Sequence, residues 1–169
     1  MKKLLFALAG ALLLAAACGG PKDADSEYAK DLIKKGEMIP EFTLNSLDSV
    51  AYTRDSFKGE YVVLDFWATW CPDCRADVPA MKELQAEYGS KARFVGISFD
   101  TDRDALVNYV KENEIPWIQL SDFVSKKEST VGEAFHVKWI PSVYLVDPEG
   151  KVVLGTVMIE KLRAALEKL

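Results

Sequence analysis

The chain has 169 residues and few of the side chains that hold metals: one histidine, His136, and three cysteines, Cys18, Cys71 and Cys74. A structural zinc site needs a full tetrahedral set of nitrogen and sulfur ligands. No second Cys-x-x-Cys follows the pair at 71 and 74, so no metal site is expected. No block of lysine or arginine stands out, and the formal net charge is −5. The basic footprint of a nucleic-acid reader is therefore missing. The apolar run from Leu4 to Ala17 falls short of the roughly 20 residues that a membrane-crossing helix needs. No internal repeat or low-complexity tract follows it. The remaining composition, 49% hydrophobic and 28% charged, suits one globular domain with an appendage.

The appendage comes first. Lys2 and Lys3 precede the Leu- and Ala-rich run, which has the length of a secretory h-region, and Ala15, Ala16 and Ala17 lead directly into Cys18. This stretch resembles a bacterial lipoprotein signal, in which cleavage before the cysteine is followed by lipid attachment to its sulfur. The usual leucine three residues before the cysteine is Ala15 here, with Leu14 one earlier. The alternative is an ordinary signal peptide that leaves Cys18 a free thiol. Residues 1–17 are read as signal and 18–35 as a polar tether, with a helical turn near Tyr28 to Lys35. Residues 36–169 are read as the folded domain. Cleavage would remove Lys2 and Lys3, so 21 basic residues become 19 against 26 acidic ones. Such a chain would reach the membrane through its lipid rather than through charge. The expected location is the cell envelope, facing the periplasm or exterior.

Within the domain, strands and helices alternate. Phe42–Asn45 and Val50–Thr53 flank a turn and read as a hairpin. Tyr61 to Phe66 is a near-continuous apolar run, the pattern of a strand buried on both faces. In the segment from Cys71 to Tyr88, Val78, Met81, Leu84 and Tyr88 recur at steps of three and four, which predicts a helix that stops at Gly89. Further strands are read at Phe94–Phe99, Trp117–Leu120, Ser142–Val146 and Lys151–Gly155. A helix is expected from Arg103 to Asn113, a helical turn at Ser129–Phe135 and a closing helix at Ile159–Leu169. Asp100 to Asp102 offers a helix cap. Asp100, Asp102 and Asp104 do not make a calcium loop, because Ala105 and Lys111 stand where glycine and glutamate are needed. The pattern is an α/β domain with a central mixed sheet flanked by helices.

Cys71 and Cys74 sit where a buried strand gives way to a helix. Closing so short a loop removes little chain entropy, so the value of the pair lies in chemistry. A helix N-terminus presents unpaired N–H groups and partial positive charge, which stabilise a thiolate. Cys71, before the first turn, is expected to be the exposed attacking sulfur. Cys74, one turn inward, would resolve the mixed disulfide.

The segment Asp65-Phe-Trp-Ala-Thr-Trp-Cys-Pro-Asp-Cys resembles the active site of the thioredoxin superfamily, and Ile140-Pro141-Ser142 resembles its cis-proline loop. The early hairpin, the strand–helix segment inserted at about Phe94–Leu120 and the exported N-terminus resemble the TlpA/ResA branch, over about Gly36 to Leu169. The resemblance implies a thioredoxin-like fold and thiol–disulfide exchange with protein substrates, with no cofactor beyond the Cys71–Cys74 disulfide. It implies that Asp65 is a buried acid that relays a proton to or from Cys74; the alternative is a core acid satisfied by hydrogen bonds. Asp77 occupies a position where that branch often has glutamate, and a solvated first-turn acid is an equal reading. Pro141 is expected to be cis, leaving the Ile140 backbone free to pair with an extended substrate; an ordinary trans proline is the alternative. Trp70 would shield Cys71 and offer a contact surface alongside Pro72, Trp67 would be core, and His136 would end a helix or pack.

Asp73 and Asp77 oppose a thiolate on Cys71, which favours a reductant or an isomerase-like exchanger; a reductant would need a membrane electron donor. Pro72 pulls the other way, since some strongly oxidising relatives share it. A monomer is expected. Cytochrome c maturation is one family precedent, and general repair of exported proteins or a stress role is as open. Two other readings compete. A peroxiredoxin needs threonine and proline where Ala68 and Leu64 stand. A non-catalytic binding module on the same scaffold would have little reason to keep both cysteines, Asp65 and Pro141.

Overall fold

The computed structural model describes residues 23–169. The expected signal at 1–17 and the expected lipidation site Cys18 lie outside the described residues.

Among the described residues, seven strands form one sheet. Strand β1 (Thr43–Ser46) and strand β2 (Ala51–Thr53) make the hairpin, followed by a 3-10 turn at Arg54–Phe57. Then come β3 (Tyr61–Trp67), β4 (Ala92–Ser98), β5 (Ile118–Ser121), β6 (Ser142–Val146) and β7 (Val152–Thr156). The order across the sheet is β2-β1-β5-β4-β3-β6-β7. The central β3, β4 and β5 run parallel, and β6, β7 and the hairpin pair antiparallel. This is the thioredoxin-like mixed sheet, and its central strands carry the apolar runs that burial on both faces demands. The hairpin joins through β1 against β5, so the inserted β4–β5 segment separates it from β3.

Among the described residues, five helices complete the fold: α1 (Ala24–Tyr28), α2 (Pro72–Tyr88), α3 (Arg103–Glu112), α4 (Thr130–Ala134) and α5 (Ile159–Leu166). Val78, Met81, Leu84 and Tyr88 form the buried face of α2 as their spacing predicts. On β3 successive side chains leave opposite faces of the sheet. Phe66 meets Phe99, Phe135 and Tyr144. Trp67 meets Tyr109 of α3 and donates its indole N–H to Gln119 Oε1 at 2.9 Å.

One expectation is corrected. The expected tether at 18–35 is packed from Asp23 onward: Leu32 and Ile33 are buried, and its helix lies at Ala24–Tyr28, before the predicted turn. Two branched apolar side chains in an otherwise polar stretch find room over the sheet, and their burial outweighs the freedom of a loose chain. The expected cap of α3 is found within the Asp100–Asp102 segment. Asp102 caps it, accepting from the N–H groups of Asp104 and Ala105, while Asp100 is buried and does different work.

Candidate active site

The site lies at the C-terminal end of β3. Parallel pairing of β3 with β4, in register from Tyr61–Ala92 to Trp67–Ser98, brings the loops after both strands together. The Asp100 carboxylate accepts from the Thr69 N–H at 3.0 Å and the Thr69 hydroxyl at 2.5 Å, and from the Ser98 hydroxyl at 2.7 Å. Asp100 is thereby satisfied in the interior, and the turn that feeds Cys71 is fixed.

Cys71 is the N-cap of α2, with Pro72 in the first turn, where its missing N–H costs nothing. The Cys74 N–H points at Cys71 Sγ, 3.1 Å away. The two cysteines are joined as a disulfide with Cα atoms 5.3 Å apart. The expected exposure of Cys71 is not observed: Cys71 is 5% exposed and Cys74 4%. The loop carrying Pro141 covers the pair, bringing the Ile140 carbonyl to 3.8 Å from Cys71 Sγ. The two sulfurs still differ in access. Cys71, and not Cys74, lines an open groove of about 390 Å³ together with Trp70, Pro72, Asp73, Lys126, Lys138, Trp139 and Ile140.

The Ile140–Pro141 bond is cis. Strand β6 starts at Ser142, paired with Phe66, which sets the preceding loop opposite the end of β3. Among the described residues no acceptor takes the Ile140 N–H. Trp70 is 55% exposed at the groove, whereas Trp67 is buried. His136 is exposed and ends α4 in the left-handed region with φ of 55°. Ala68 is fully buried, so no hydroxyl stands where a peroxiredoxin threonine would.

Asp65 lies in mid-strand between Gly96 and Val143. It is buried, and among the described residues no group donates a hydrogen bond to its carboxylate. Burial first, and the charge of Asp77 second, push its carboxyl up to about 7. Asp77, half-buried on α2, is also raised, by burial and then by Asp73 and Glu160. The sheet and α2 thus gather two perturbed acids near a redox-active pair, a combination typical of working sites.

The profile of the AhpC/TSA family matches residues 35–154. The chain belongs to the AhpC/TSA family. Within it, the chain is similar to thiol–disulfide oxidoreductase ResA of Bacillus anthracis, 30% identical over 175 aligned residues covering 100% of this chain and 99% of the relative. It is also similar to the thioredoxin-like protein YneN of Bacillus subtilis, 28% identical over 138 residues, 80% of each chain. Among solved structures, a thiol–disulfide oxidoreductase from Bacteroides fragilis matches with a TM-score of 0.72 and 28% identity, covering 78% of this chain and 98% of that one. The chain is a ResA-like thiol–disulfide oxidoreductase, and Cys71–Cys74 is its redox-active disulfide.

Of the residues singled out in the sequence, Trp70, Cys71, Pro72 and Ile140 line the groove; Cys74 is bonded to Cys71 and Pro141 follows Ile140, while Asp65 is buried in β3 within reach of the Asp77 charge on α2. Sequence reasoning gave Asp100 to a helix cap rather than to the site, and missed Lys126, Lys138 and Trp139. Trp139 carried a usable signal, an aromatic residue two positions before the loop proline. Asp100 carried a weaker one, an acid directly after a buried strand.

Proposed function

We propose that this enzyme exchanges disulfides with extended segments of protein substrates outside the cytoplasm, held to a membrane by lipid on Cys18 and working mainly as a reductant. The observation that carries the reading is the disulfide at the N-terminus of α2, with Cys71 alone opening into a groove walled by the cis-proline loop.

In the reduced enzyme the N–H groups of the first turn stabilise a thiolate at Cys71. That thiolate attacks one sulfur of a substrate disulfide, forming a Cys71–substrate bond and expelling the other substrate sulfur as thiolate. Cys74 then loses its proton to the Asp65 carboxylate and attacks Cys71 Sγ. The Cys71–Cys74 disulfide reforms, and the substrate leaves with both sulfurs reduced. A carboxyl that titrates at about 7 can take that proton and return it to solvent near neutral pH. The unpaired Ile140 N–H supports backbone pairing with an extended substrate, and Trp70 and Trp139 supply flat apolar contact.

Asp73, exposed in the first turn, and Asp77 behind it work against an extreme stabilisation of the Cys71 thiolate, which supports the reducing direction. A reductant needs a membrane electron donor. Relatives named ResA, and a structural neighbour described as a secreted Mycobacterium tuberculosis disulfide oxidoreductase, support the extracytoplasmic setting. With lipid on Cys18, the chain between the anchor and Asp23 spans at most about 18 Å. The domain would then sit close to the bilayer rather than on a long leash.

The test is the potential of the Cys71–Cys74 pair, read by trapping free thiols after equilibration in glutathione or dithiothreitol buffers. A value near or below roughly −270 mV marks a reductant, and one near roughly −120 mV marks a disulfide donor and overturns the direction.

A further inference from the structure

The N-terminal segment is fixed at both ends and bears on the substrate groove in between. At its start, the Asp25 carboxylate accepts from the Thr156 hydroxyl, the Val157 N–H and Lys161 Nζ, each at 2.8 Å. Lys161 also pairs with Asp23 at 2.8 Å. At its far end, the Ile33 N–H donates to the Tyr144 hydroxyl at 3.1 Å, and the Gly36 N–H donates to the Val152 carbonyl at 2.7 Å. Between these anchors the Tyr28 ring stacks on Trp139, with centroids 4.3 Å apart and planes at 29°. The Asp31 carboxylate lies 3.4 Å from Lys138 Nζ.

Lys138 and Trp139 belong to the irregular loop that carries Ile140 and cis-Pro141, and both line the groove beside Cys71. Within that loop, Ser142 Oγ donates to the Trp139 carbonyl at 2.7 Å, and Lys126 Nζ donates to the Lys138 carbonyl at 2.9 Å. These bonds hold the backbone. The Trp139 indole, still 40% exposed, has Tyr28 as its aromatic partner.

We infer that residues 23–36 form a positioning strap, in which Tyr28 sets Trp139 as a wall of the substrate groove, so that the strap governs exchange with protein segments and not the intrinsic reactivity of the cysteines. The inference rests on the protein-substrate reading above. Tyr28 carries it, because an aromatic stack has real worth, whereas the solvent-exposed Asp31–Lys138 pair contributes little. Trp139 is one residue from Ile140, whose carbonyl lies over Cys71 Sγ. A wall left free to move must be ordered each time a protein segment docks. A small disulfide that touches only the sulfur avoids that cost.

The test uses the full-length protein, reduced, in single-turnover exchange with two probes: insulin as a protein disulfide and 5,5′-dithiobis(2-nitrobenzoate) as a small one. Tyr28→Ala is expected to slow insulin exchange roughly 2- to 10-fold, to leave the small probe within about 2-fold and to make Trp139 fluorescence more quenchable. Tyr28→Phe keeps the ring and is expected to behave as wild type. The small-probe rate also reports that the variant is folded with an intact site. Equal losses on both probes, or no loss on insulin, would overturn the strap. A wild-type enzyme that reduces the small probe but not insulin would overturn the protein-substrate reading, and the strap's role with it.

Discussion

Asp65→Asn separates the cost of burying an acid from the use the enzyme makes of it. In the folded protein the carboxyl titrates at about 7 against 3.8 without the protein around it. The raised value means that folding favours the protonated form. Below pH 3.8 both folded and unfolded chains hold the proton, and Asp65 costs nothing extra. Between there and about 7 the unfolded chain releases its proton while the folded chain keeps it, so stability falls as pH rises. Above about 7 the penalty is complete. At about 1.36 kcal/mol per pKa unit it amounts to roughly 4 kcal/mol as an upper bound. Asparagine has nearly the same shape and never ionises. The variant should lie within about 1 kcal/mol of wild type at pH 4 and exceed it by up to about 4 kcal/mol at pH 8. Urea unfolding of the oxidised protein at pH 4, 6 and 8 reads this directly. With a urea slope of about 1–3 kcal/mol/M, the full difference moves the midpoint by more than about 1 M at pH 8. The same variant should be slower to release a mixed disulfide, since Cys74 loses its proton acceptor. A stability difference that does not change with pH, or an Asn variant less stable at pH 8, would refute the buried-acid reasoning.

Three further outcomes are expected. Cys74→Ser should stall after the first attack and accumulate a Cys71–substrate adduct visible by mass spectrometry under non-reducing conditions, whereas Cys71→Ser should form none; an adduct on Cys74 would reverse the assigned order. Tyr144→Phe removes the hydroxyl that accepts from the Ile33 N–H at 3.1 Å and donates to the Phe135 carbonyl at 2.6 Å, leaving two buried backbone groups unpaired. It should cost about 1–3 kcal/mol in urea unfolding, and an unchanged midpoint would show that water replaces the hydroxyl. Gly96→Ala places a methyl group against the Gln119 amide, which holds the Trp67 indole. It should cost about 1–3 kcal/mol as an overpacked core position and shift Trp67 fluorescence, and a stability equal to wild type would mean that Gln119 moves aside freely.

Much of the fold was legible in local pattern along the chain. The apolar run Tyr61–Phe66 is a strand buried on both faces, and the spacing of Val78, Met81, Leu84 and Tyr88 is the buried face of α2. A cysteine pair at a strand-to-helix junction named its own chemistry, because the cap and the dipole belong to the first turn of one helix. The burial of Asp65 came instead from the resemblance to the thioredoxin active-site segment; Asp65 and Trp67 both lie in the buried strand β3. Partners far apart in the chain were not legible there. Asp100 reaches Thr69 across 31 positions and Tyr144 reaches Ile33 across 111. These contacts depend on strand order and register, which no periodicity in either segment encodes. Strand order also put β1 against β5 rather than beside β3. Cys71 is covered because a loop from the other half of the chain closes over it. A stretch that is polar residue by residue became a strap because two apolar side chains and one tyrosine found surfaces that exist only once the sheet is assembled.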